Sequence, residues 1–121
     1  GVLKSRPYGG VMILVNKKYI KCMRILCAAE RYAVVLIGNL LIIDVYFPCN
    51  GTPDRNDICE NIISNLLFWI EKYSCHDVII GGDFNTDLDK DDVISNLINR
   101  FVTNNNLRRC DTIVQGVPYL N

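Results

Sequence analysis

The sequence predicts an α/β fold, and three observations carry that expectation. Short β-branched apolar runs fill residues 11–15, 32–37, 40–47 and 77–80. Two longer stretches, 57–73 and 91–102, repeat apolar residues at helical spacing. Finally, strand and helix patterns alternate through the second half of the chain, as they do in α/β domains.

Val11 to Val15 follows Gly9-Gly10 and reads as a strand, and Tyr19 to Cys27 reads as a second, less clean one before Ala28-Ala29-Glu30. Tyr32–Ile37 and Leu40–Phe47 are separated only by Gly38-Asn39, a pair that tolerates positive φ and so predicts a tight hairpin. Pro48 to Asn56 is loop chemistry, with Thr52-Pro53 or Asn56-Asp57 opening the next helix and Asp57 and Glu60 in its positive first turn. In that helix Ile58, Ile62, Leu66, Ile70 and Tyr73 form a stripe that Cys59, Ile63 and Leu67 widen, so it packs on a sheet. Asp77 to Ile80 is a brief strand running into Gly81-Gly82-Asp83-Phe84-Asn85. The second helix spans Asp91 to Val102 with Val93, Ile94, Leu97, Ile98 and Phe101 inward, and Leu107 to Val114 reads as a last strand.

With 121 residues, half of them apolar, the chain suits one domain with a substantial core and excludes disorder, collagen and coiled coil. Thirteen basic and thirteen acidic residues cancel, which argues against a polybasic nucleic-acid clamp. The sum hides an asymmetry: residues 1–31 carry +6 and residues 32–121 carry −6, so nucleic-acid binding stays open for the basic end. No apolar run reaches the roughly 18 to 20 residues of a membrane span, since Gly38, Asn39 and Asp44 interrupt the greasiest stretch. No secretory signal opens the chain, and both ends read as cut. Cys22, Cys27, Cys49, Cys59, Cys75 and Cys110 lack C-x-x-C spacing, which speaks against zinc and thioredoxin-like sites and for buried free thiols in a reducing compartment.

The strongest chemical signal is Val78-Ile79-Ile80-Gly81-Gly82-Asp83-Phe84-Asn85-Thr86-Asp87, where a buried strand delivers polar groups at its carboxyl end. In extended backbone Asp83 and Asn85 share one face while Phe84 takes the other, so a carboxylate that can orient water or a metal meets the same ligand as a neutral amide. That pairing suits a phosphodiester. Asp83, Asp87, Asp89, Asp91 and Asp92 lie close enough in sequence to favour a divalent ion between them. The plainer reading makes the last four a solvated turn and helix-start acids. A calcium loop fails, because its required Gly falls on Leu88 and its bidentate Glu on Ile94. The second signal is Ile43-Asp44-Val45-Tyr46-Phe47-Pro48-Cys49-Asn50-Gly51, another strand end, where the Tyr46 phenol can donate to phosphate or serve as a core aromatic.

Arg6-Pro7-Tyr8-Gly9-Gly10 with the apolar run to Val15, Val45-Tyr46-Phe47-Pro48 and Gly82-Asp83-Phe84-Asn85 resemble, in order and separation, three segments of the endonuclease/exonuclease/phosphatase superfamily. The Gly-Asp-Phe-Asn-Thr and Gly-Gly-Val segments look closest to its non-LTR (LINE-type) retrotransposon branch. The resemblance covers nearly the whole chain and implies a DNase I-like fold: a partial two-sheet β-sandwich flanked by helices, incomplete at both ends, with residues 1–121 as the central part of one domain.

It further implies that Tyr46 contacts the scissile phosphate, Asp83 orients or deprotonates the attacking water, and Asn85 holds phosphate and nucleophile. Asn50 matches a phosphate-contacting asparagine displaced by Cys49, and Tyr8 and Arg6 sit where relatives reach toward DNA or, equally, in a solvated loop. The family's metal-binding Glu and a partner Asn would lie upstream of residue 1 and its catalytic Asp-His pair downstream of residue 121. Neither His76 nor Glu30 replaces them.

The implied parent is a Mg2+ (or Mn2+) dependent DNA endonuclease, intracellular in nucleus or cytoplasm, with a reverse transcriptase module possible on the same polypeptide and these 121 residues inactive or nearly so alone. The alternatives are a non-catalytic remnant or binding module of that fold, or a phosphatase acting on a phosphorylated small molecule, lipid or RNA.

Overall fold

The computed structural model describes residues 10–111. The chain divides into two compact units, Gly1–Asn85 and Thr86–Asn121.

In the first unit a short 3-10 turn, Lys17–Cys22, leads into four strands and a helix: β1 (Met23–Ala28), β2 (Tyr32–Ile37), β3 (Leu40–Tyr46), α1 (Arg55–Lys72) and β4 (Asp77–Asp83). The strands form one mixed sheet in the order β1-β2-β3-β4, with β1–β2 and β2–β3 antiparallel and β3–β4 parallel. The α/β class is therefore present, and among the described residues a single sheet is formed.

The expected hairpin is there: Ile37 pairs with Leu40 across Gly38-Asn39, and Gly38 alone of the two takes positive φ (55°), the pattern of a type II′ connection. An antiparallel pair can be joined by two residues, whereas parallel β3 and β4 need a crossover, which α1 provides. Alternation along β3 buries Leu41, Ile43 and Val45, each at most 1 % exposed. Their partners Leu36, Val34 and Tyr32 share that face. Cys59, Ile62, Ile63 and Leu66 of α1 are buried, and Ile58 and Ile62 line a groove with Tyr32, which puts α1 on this face of the sheet. The stripe read from the sequence is thus the buried one.

Several expectations fail. Residues 11–15 form no strand; Val11, Ile13 and Val15 are half-buried, Met12 and Leu14 exposed, and the Met12 N–H donates to a carboxylate oxygen of Asp44 at 3.1 Å instead of to a ladder. The strand expected over 19–27 begins only at Met23, because Asn16 accepts from the Lys18 N–H and winds the preceding residues into the 3-10 turn. The cysteines are free, but Cys22, Cys49, Cys75 and Cys110 are exposed and only Cys59 is fully buried.

In the second unit α2 spans Val93–Asn104, two residues later than expected, because Asp92 is its N-cap and accepts from the Ser95 N–H at 2.8 Å. Ile94, Ser95, Ile98 and Phe101 are buried, while Val93, expected inward, sits in the first turn 63 % exposed. Residues 107–111 form no strand, and 112–114 lie outside the described residues. Among the described residues no helix is long and apolar enough to cross a membrane.

Candidate functional site at the carboxyl ends of two parallel strands

Because β3 and β4 run parallel, both present their carboxyl ends at the same edge of the sheet, and their last residues, Tyr46 and Asp83, are direct partners in the ladder. Adjacent strands lie about 4.8 Å apart, so phenol and carboxylate start from neighbouring backbone positions. Tyr46 falls between buried Val45 and Phe47, which aims it to the face opposite α1; Asp83, in register with it, shares that face and is exposed. The ladder continues one step further, with the Phe47 N–H donating to the Asp83 carbonyl at 2.8 Å.

Gly82 makes this closeness possible. Its φ is +129°, and a Cβ there would collide with the Val45 carbonyl oxygen, while Gly81 has open space around it. Of the glycine pair, only Gly82 is required by the fold.

Asn85 does not continue the strand. It adopts a left-handed conformation (φ 46°), its N–H donates to Asp83 Oδ1 at 2.9 Å, and its Nδ2 donates to the Phe47 carbonyl at 2.7 Å. The expected extended alternation of Asp83 and Asn85 is therefore replaced by a tight Asx-type turn, which spends one carboxylate oxygen and one amide hydrogen. Phe84 stacks on Phe47, ring centroids 5.3 Å apart, which packs the two strand exits against each other.

Two arginines complete the cluster. Arg31 sits just before β2; its carbonyl accepts from the Tyr46 N–H at 2.8 Å, and its guanidinium lies 5.5 Å from the Tyr46 ring centroid, a cation–π distance. Arg55 donates through Nε to the Pro48 carbonyl (3.0 Å) and through Nη2 to the Asn85 carbonyl (2.7 Å). Burial pushes the Cys59 thiol up, and the fields of Arg55 and Arg31 pull the other way, so both cations lie within electrostatic reach of one buried sulfur. Sequence reasoning found neither arginine. A signal for Arg55 existed, because a cation in the first turn of a helix opposes the macrodipole and needs another reason to be there.

Tyr46, Asp83 and Asn85 are thus brought together. Asn50 is exposed in a turn with Gly51 (φ 90°) that the Thr52 N–H closes onto the Cys49 carbonyl. Tyr8 and Arg6 lie outside the described residues. The acids of the second unit follow the plainer reading: Asp87 accepts from the Asp89 N–H, Asp91 from Asn96, Asp92 caps α2, and Asp89 pairs with Arg109 at 2.9 Å. Asp89 and Asp111 together hold the Arg109 guanidinium well above its ordinary pKa. Among the described residues no group of three or more His, Cys, Asp or Glu converges on a cation position.

Comparison with family models, with characterised proteins and with solved structures gives no match.

Proposed function

We propose that this chain carries the phosphate-handling strand tips of a divalent-metal-dependent phosphodiesterase, most specifically a DNA endonuclease of the non-LTR retrotransposon kind. The observation that carries the reading is the register of Tyr46 with Asp83 at the carboxyl edge of a parallel strand pair, drawn together by Gly82. Phosphodiester hydrolysis needs a donor to a non-bridging oxygen and a carboxylate that orients or deprotonates water for in-line attack; the Tyr46 phenol and Asp83 Oδ2 supply those groups. Asn85 keeps its second Nδ2 hydrogen and Oδ1 for the ligand, since the Phe47 carbonyl takes the first hydrogen.

Among the described residues no group of three or more His, Cys, Asp or Glu could hold Mg2+. The same observation favours a second reading, a non-catalytic phosphate-binding module of this fold. The exposed apolar side chains Ile25 and Ile79 on the face opposite α1 support the two-sheet sandwich that the resemblance implies. On this reading the setting is intracellular and the substrate is DNA.

Plasmid nicking in Mg2+ tests it, using the natural coding sequence to its full extent. Asp83→Ala and Asn85→Ala should each lower the rate by about a hundredfold, the size expected for removing one group that stabilises the transition state. Equal nicking by wild type and both variants would defeat the assignment. Tight DNA binding with no nicking at all would favour the second reading.

A further inference from the structure

Among the contacts of the described residues that brace the two strand exits, Arg55 alone reaches both loops from the helix. Arg55 opens α1, its guanidinium is half-buried, and its Nε and Nη2 each hold a carbonyl, Pro48 just past the end of β3 and Asn85 just past the end of β4. Among the described residues no carboxylate forms an ion pair with it. At a helix start, where positive charge is disfavoured, an arginine facing two backbone carbonyls is placed for geometry.

The residue it grips has left-handed backbone (φ 46°), uncommon outside glycine and adopted by asparagine when local hydrogen bonds hold it. Three hydrogen bonds fix Asn85: its carbonyl to Arg55, its Nδ2 to Phe47 and its N–H to Asp83 Oδ1. The last of these sets the carboxylate rotamer, so the orientation of Asp83 depends, through one peptide, on where Arg55 holds the Asn85 carbonyl.

We propose that Arg55 is the positioning residue of the strand-tip site: by bridging the Pro48 and Asn85 carbonyls it fixes the Asn85 turn and thereby aims the Asp83 carboxylate and the Asn85 amide at one phosphate. This rests on the phosphodiester reading above. A planar fork reaches two carbonyls at once, whereas an ammonium group is a single compact point of donors that cannot reproduce the fork. Arg55→Lys therefore keeps the charge and loses the bridge.

The test compares wild type, Arg55→Lys and Arg55→Ala in two measurements. In the first, the side-chain amide and backbone N–H signals of Asn85 are followed by 1H–15N NMR on the 121-residue chain. In the second, steady-state nicking of plasmid DNA in Mg2+ uses the natural coding sequence to its full extent. Arg55→Lys should shift both Asn85 signals while leaving those of β2 in place, and should lower kcat by about tenfold or more with KM within about twofold, the pattern of lost alignment rather than lost binding. Arg55→Ala should shift the same signals and lower kcat at least as far, and in addition raise KM by removing a charge.

A merely structural arginine would lower the melting temperature without moving kcat of the folded enzyme, and that result overturns the proposal. Unmoved Asn85 signals in Arg55→Lys overturn it as well, and if wild type still nicks in an Asp83-dependent way, the phosphodiester reading survives alone. A wild type that does not nick removes both.

Discussion

The two faces of the sheet have similar apolar composition and differ in how far they are covered. On the face toward α1, Leu41, Ile43 and Val45 are at most 1 % exposed; on the other, Val35 in β2 is buried, but Ile25 and Ile79 on the edge strands are 67 % and 55 % exposed. The chemistry-bearing side chains sit on the second face: Tyr46 and Asp83 at its carboxyl edge, with Asp44 two residues before Tyr46 holding the Met12 N–H. Most of the buried core and the candidate site therefore lie on opposite sides of the same strands.

The division can be broken from either side. The largest effect belongs to the helix-side face: Leu41→Ala should cost about 2–5 kcal/mol, because a fully buried side chain leaves a cavity that its neighbours fill only in part. A urea midpoint that falls with an unchanged m-value checks it.

Next comes a pH effect from the same face. Burial raises the Cys59 thiol pKa, so the folded state holds its proton where the unfolded chain releases it. The stabilisation is complete below the pKa of a free thiol, about 8.5, and declines as pH rises above it toward the folded value. Cys59→Ala should flatten the fall in stability measured between pH 8 and pH 10 by about as much as that one proton contributes.

The smallest effect belongs to the opposite face. Ile25→Thr and Ile79→Thr should each change stability by less than about 0.5 kcal/mol, since the side chains already meet solvent. They should also reduce self-association in light scattering by shrinking an exposed apolar surface. A cost above about 2 kcal/mol at Ile79 would show that this face is covered after all.

What the sequence revealed follows the same physical lines. The Gly38-Asn39 hairpin, the α1 stripe and the strand into Asp83 were legible because each is set by neighbours a few residues away. Val11–Val15 misled, having the composition of a strand but forming none: its amide at Met12 goes to the Asp44 side chain. The start of α2 was displaced because Asp92 serves as cap rather than as first-turn acid.

At the candidate site, Tyr46, Asp83 and Asn85 were singled out from motif chemistry. The left-handed turn at Asn85 and the two arginines were not, since they arise from contacts 15 to 38 positions apart in sequence that no local period records.

The parallel pairing of β3 with β4 also fixes an order of events. The β2–β3 hairpin closes across two residues and can form within microseconds, whereas Tyr46 and Asp83 meet only after the intervening chain has wound into α1 and returned. The hairpin is a local contact and the strand tips are a long-range closure. A nascent chain halted between Lys72 and Gly82 would hold the whole of the hairpin and of α1 without the partner of Tyr46.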